Sequence, residues 1–117
     1  MQRPLLRFEN IPSNFFPLRA YPFLFELTKF QEVDFIIVKS RKSKLGDFKT
    51  AKNKLICPQI SINGNLNSYA FLITFLHEWA HYLVWKEGHL YSKPHGKLWK
   101  NQFKRLIILM IENEIFP

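Results

Sequence analysis

Between Phe71 and Trp85 runs a nearly continuous apolar stretch, interrupted by His77, Glu78 and His81. Few patterns constrain a fold as tightly. Residues four apart on a helix share one face, with roughly 5–6 Å between their Cβ atoms. His77 and His81 can therefore turn both imidazoles toward one point. Imidazole nitrogens bind a tetrahedral zinc ion at about 2.0–2.1 Å, so that point suits a metal. Glu78 lies about 100° further round the helix. It is too far round to be an obvious third ligand, yet close enough to reach a water on the ion.

The segment His77-Glu78-Trp79-Ala80-His81 reads H-E-x-x-H, the pattern of zinc hydrolases. Its flanks give it weight. Leu72, Leu76, Leu83, Tyr69, Ala80, Ile73 and Val84 cover one broad arc, and Phe71, Phe75 and Tyr82 cover much of the rest. A helix apolar nearly all round belongs at the centre of a domain. Two histidines and a glutamate placed there are costly unless something satisfies them. Either they are core histidines bonded to backbone, or they hold a metal. The spacing favours the metal.

At 117 residues the chain forms one domain with a single core. A hydrophobic fraction of 47% and an aromatic fraction of 16% argue for a packed interior built on large rings. The lone cysteine, Cys57, excludes an internal disulfide and any cysteine-based zinc ribbon, and suits a reducing compartment. No leader-like apolar run follows Met1, and the run before His77 is far short of the ~20 residues of a membrane span. A cytoplasmic protein without membrane contact is expected.

The net charge of +8 is unevenly spread. Lys39, Arg41, Lys42 and Lys44 open one basic cluster, which continues through Lys49, Lys52 and Lys54. A second, Lys86 to Arg105, follows the motif. Such clusters either attract nucleic acid or make a solvated surface.

Residues 1–17, punctuated by Pro4, Pro12 and Pro17, read as an irregular arm packed by Phe8, Phe15 and Phe16. A helix is expected over about 18–30, with Pro22 in its first turn and Tyr21, Leu24, Phe25, Leu27 and Thr28 as its stripe. Val33 to Val38 reads as a strand covered on both faces. Ser40 to Gly46 makes a basic turn, and Asp47 to Thr50 starts a second, more exposed strand. Gln59 to Asn63 alternates as a third, which Pro58 confines to an edge or to starting there. Asn67 or Ser68 caps the motif helix, and Lys86-Glu87-Gly88 stops it. Ser92-Lys93-Pro94 opens a last helix with Trp99, Phe103, Leu106, Ile107 and Met110 facing inward. The abrupt end after Ile115-Phe116 suggests a piece of a longer parent.

A catalytic zinc takes three protein ligands and keeps an open position. Metzincins would need Gly and His where Val84 and Glu87 stand. Glu112 and Glu114 read as solvated, and His89 as an exposed loop residue. His95 is better placed, because Pro94-His95-Gly96 sets it at the start of a helix that must pack on the motif helix.

Together, His77-Glu78-Trp79-Ala80-His81 and His95-Gly96-Lys97-Leu98-Trp99 resemble the two-part zinc motif of the SprT-like metallopeptidases, relatives of Spartan. Ile60-Ser61-Ile62-Asn63 with Leu66 is similar to the strand and turn leading into that family's zinc helix, and Lys44-Leu45-Gly46-Asp47-Phe48 to its glycine hairpin. The resemblance spans about Val33 to Leu106. It implies a minimal zincin-like α+β domain comprising an N-terminal helix, a small three-stranded sheet, the central motif helix and a C-terminal packing helix. It also implies one Zn2+ held by His77, His81 and His95, with Glu78 as base in peptide-bond hydrolysis. The Spartan branch removes proteins crosslinked to DNA, so proteins and DNA are the implied partners. Many members carry a C-terminal DNA-binding region, and nothing after Met110 could be one. A substrate peptide is expected to add as a strand beside Ile60, Ser61, Ile62 and Asn63. Tyr91 is a candidate oxyanion donor, and Asp34 or Asp47 a candidate acceptor for a ligand's second ring nitrogen. The rival expectation is a zinc-stabilised nucleic-acid-binding module without peptidase activity.

Overall fold

The computed structural model describes residues 14–50, 57–89 and 93–117. A short 3-10 turn, Leu18–Ala20, leads into α1 (Tyr21–Thr28), followed by β1 (Asp34–Val38), β2 (Gly46–Lys49), β3 (Gln59–Asn63), α2 (Ser68–Lys86) and α3 (Lys97–Glu112). This is an α+β fold of three helices and a small sheet. Among the described residues no helix is long and apolar enough to cross a membrane.

The N-terminal helix is shorter than its sequence suggests. Lys29 already has extended backbone, and Phe30 takes a left-handed φ of 64°. Leu24 and Thr28 face inward as expected, and the Thr28 hydroxyl donates to Leu24 O at 2.8 Å. Phe25 instead faces out.

The sheet runs β1-β3-β2, with β1 parallel and β2 antiparallel to β3. This order overturns the expectation that residues 59–63 form an edge. β3 is hydrogen-bonded on both sides, and Ile60, Ser61, Ile62 and Asn63 are all buried. No backbone donor or acceptor row remains there for an incoming peptide, and among the described residues β1 and β2 are the outer strands. Pro58 sits just before the strand, where its missing N–H costs no ladder bond, and its carbonyl accepts from Asp34 N at 2.9 Å. Edge position also explains why β1 is covered less than expected: Val33, Asp34 and Phe35 are buried, but Ile36, Ile37 and Val38 only half so.

Cross-strand register aligns Phe35, Ile60 and Phe48 in one row and Ile37, Ile62 and Gly46 in another. Side chains two apart share a sheet face, and this face packs on α2. Phe16, Phe71, Phe75, Phe35 and Trp79 make a continuous aromatic core, with the Phe16 and Phe71 centroids 4.9 Å apart edge-on and those of Phe75 and Trp79 stacked at 5.6 Å. Asn67 caps α2, its Oδ1 accepting from Ala70 N at 2.9 Å. α2 is less enclosed than its composition implies, since Tyr69 and Ile73 are exposed.

α3 packs on α2 through Leu106 and Met110, both fully buried. It begins at Lys97, with Gly96 as N-cap, later than Ser92-Lys93-Pro94 would place it. The delay has a physical cause. His95 carries a left-handed φ of 61°, so Pro94-His95-Gly96 forms a turn closed by Gly96 N donating to Lys93 O at 3.0 Å. A side chain at Gly96 would meet that same carbonyl at 3.0 Å. Of the remaining sequence expectations, the packing of Phe8, the basic residues Lys52 and Lys54, Tyr91 and Ser92 lie outside the described residues.

Candidate metal centre

α2 presents His77 and His81 one turn apart, and the turn before α3 brings His95 against both. Nε2 of His95 lies 3.0 Å from Nε2 of His77 and 3.1 Å from Nε2 of His81. Nitrogens bound to one tetrahedral zinc at about 2.0–2.1 Å stand roughly 3.3 Å apart, so the observed spacing matches within a few tenths. Neutral imidazole lone pairs do not tolerate facing one another at such distances. A shared hydrogen satisfies one pair of rings, whereas a single cation satisfies all three. The donor set therefore fits a metal ion. Among the described residues these are the three histidines placed to hold one. His89 is exposed near Glu87 at 3.6 Å, and Glu112 and Glu114 are exposed at the far end of α3.

Charge reinforces this arrangement. Burial and the neighbouring His77 and His95 rings push the pKa of His81 down to about 4. Burial, with His95 beside it, lowers His77 as well. Both shifts favour the neutral imidazole, the form whose lone pair binds a metal.

The triad is braced from several sides. The indole Nε1 of Trp99 donates to His77 O at 3.1 Å, fixing α3 on the motif helix. The Trp99 ring touches all three imidazoles, with centroids at 4.7–5.5 Å. Phe48 of β2 stacks on His81 at 6.4 Å. Asp47, one expected acceptor for a ligand ring, is instead paired with Lys44 at 3.3 Å.

Glu78 is buried beside the triad, its Oε2 3.9 Å from His77 Nε2. Burial chiefly, and the Asp47 carboxylate next, raise its pKa to about 7 against the opposing pull of Arg41 and Lys44. The residue that seats it was not legible as such in the sequence: Gly46. A Cβ at that position would stand 2.6 Å from Thr74 Cγ2 and 3.0 Å from Glu78 Oε2. β2 can lie on α2 at this point because residue 46 has no side chain. Gly46→Ala forces the buried, β-branched Thr74 or the carboxyl to shift, at an expected cost of about 1–3 kcal/mol in stability. Thermal unfolding checks the cost, and displacement of Glu78 should appear as activity lost with metal content retained.

The basic segment before β2 also departs from expectation. Arg41 does not offer its guanidinium to solvent. Nε donates to Asn63 Oδ1 at 2.8 Å, and Nη1 to Ser61 Oγ at 3.0 Å. Asn63 in turn donates through Nδ2 to Arg41 O and Lys44 O. This part-buried network, with Arg41 half-buried, shapes the loop that delivers Gly46. Lys44 is engaged by Asp47, while Lys39 and Lys42 are exposed.

The three rings, Glu78 and β2 line a cavity of about 660 Å³. Comparison of the chain with protein-family models, curated proteins and solved structures returned no match.

Proposed function

We propose that this chain is a zinc-dependent metallopeptidase of the SprT-like kind, a minimal zincin-like domain that hydrolyses peptide bonds in protein substrates. One observation carries the reading: His95 Nε2 lies 3.0 and 3.1 Å from the Nε2 atoms of His77 and His81, all three within 4.8 Å of one another, with a buried carboxyl oxygen 3.9 Å from His77 Nε2. His77, His81 and His95 would hold the zinc. When bound, zinc supplies Lewis-acid polarisation of a carbonyl and lowers the pKa of its water to about 7.

The chain's own residues supply the rest. Glu78 Oε2 takes the proton of the attacking water and later returns it to the leaving amine, and a carboxyl poised near 7 suits both transfers. Gly46, lacking a side chain, leaves room for that carboxyl beside β2. Among the described residues no strand lies beyond β2, and Gly46, Asp47 and Phe48 line the cavity. An extended substrate therefore adds along β2, through the backbone bonds that β3 cannot offer.

The purified protein is expected to carry a single zinc and to cleave casein. Removing the metal with a chelator should stop cleavage, and adding zinc back should restore it. A protein that retains no metal after purification and gains no activity with zinc would overturn the proposal. The rival reading, a zinc-stabilised nucleic-acid-binding module, draws support from exposed Lys39, Lys42, Lys97, Lys100 and Lys104. It would gain if zinc-loaded protein bound DNA while leaving every protein substrate intact.

A further inference from the structure

Two large apolar side chains border the metal cavity without being covered. Leu45, at the entry to β2, is 54% exposed, and Ile73, one turn before His77 on α2, is 42% exposed. Single exposed apolar residues are ordinary on any surface. Two of them at one concavity, on the two elements that also position Glu78, form a shelf. Between them Gly46, which lies too close to Thr74 to carry a side chain, leaves the backbone bare at that position. The charged residues of the rim, Lys44 and Asp47, pair at 3.3 Å and largely cancel. An occupant of this part of the cleft therefore gains chiefly by burying apolar surface.

We infer that the cleft reads its peptide through this shelf, selecting a bulky aliphatic or aromatic side chain beside the scissile bond, seated on Leu45 and Ile73. The inference rests on the peptidase reading and names its substrate class. A peptide strand laid along β2 sends alternate side chains to the face of the sheet that carries α2. One of them then meets Ile73, four residues before His77 and on the same face of α2. Phe, Leu or Met at that position covers both apolar side chains. Ser, Gly or Asp leaves them wet, and Asp also loses its own hydration.

The test uses fluorescently labelled peptides that differ at one position, with Phe, Leu, Ser or Asp placed there. Binding is measured by anisotropy on the zinc-loaded Glu78→Gln protein, and cleavage on the wild type. Phe and Leu peptides are expected to bind about tenfold more tightly than Ser and Asp peptides, the scale of partly burying one large side chain. Adding Leu45→Ser and Ile73→Ser should erase that difference, and the fold should survive because both residues are exposed. Ile73→Glu should shift preference toward Lys. Binding that ignores the varied residue, or a preference that persists in the double variant, overturns the inference. If the expected preference appears but the wild type cleaves nothing, the shelf stands and the peptidase reading falls. Cleavage without preference has the opposite meaning.

Discussion

Zinc at a hundredfold excess over its dissociation constant should raise the melting temperature of the wild-type protein by about 10 °C, and His95→Asn should abolish that rise. The gain follows from linkage: a ligand that binds only the folded state at that concentration adds about 2.7 kcal/mol, and roughly 4 °C accompanies each kcal/mol in a domain of this size. Two histidines on one helix lie close in any helical state, but the third ring arrives only when the turn before α3 docks on α2. Asn is the appropriate replacement because it tolerates the left-handed φ of 61° at position 95 while donating poorly to zinc. The variant should keep the metal-free melting temperature, since His95 is exposed, and lose more affinity than the roughly 10–100-fold typical of an outer-shell change. His89→Asn is the control and should behave as wild type. Equal loss of zinc-dependent stabilisation in both variants would show that the ligand set is wrong.

Glu78→Gln should lower peptide cleavage by about 10²–10⁴-fold while leaving zinc content unchanged. The substitution keeps volume and hydrogen-bonding shape but removes the proton acceptor. His95 Nε2 lies 3.0–3.1 Å from the other two ring nitrogens and the carboxyl oxygen stands further off, 3.9 Å from His77 Nε2, so the proposed zinc site does not need it. Folding should not suffer either. The carboxyl is raised to about 7 because burial penalises its charge, and an amide carries none. Its folded pKa of about 7 lies above the ordinary carboxylate value of 4.5. Between those values the unfolded chain loses its proton first, and the metal-free protein loses stability as pH rises to about 7. Metal-free Glu78→Gln should lack that decline, which a series of melts at rising pH would reveal. Cleavage by the variant at the wild-type rate would remove Glu78 from the mechanism.

The same residues show what could be read early and what could not. The helical spacing of His77, Glu78 and His81 is local, and α2 forms as expected with Asn67 as its cap. Leu106 and Met110 announce the inward face of α3 through periodicity alone. Pro58 allows β3 either an edge or a start just after the proline. The strand takes the second at the centre of the sheet, which the alternation along Gln59 to Asn63 does not reveal. Its polar residues are in fact buried, Ser61 and Asn63 being satisfied by the returning loop and by Arg41. A buried polar network of this kind looks like surface in a sequence. The Arg41 bonds to Ser61 and Asn63 span some twenty residues, which no local pattern announces.

The sequence by itself determined the pair of imidazoles on one helical face, the carboxylate beside them and the aromatic core around that helix, because each follows from side-chain chemistry repeated at a short-range period. Only the tertiary structure decided that His95 completes the triad from a left-handed turn, that β3 is the central strand with β2 beside it, and that Gly46 lies against Glu78. Those outcomes depend on which distant segments pair. Strand order and backbone approach are set by packing of the whole chain, and no local pattern records them.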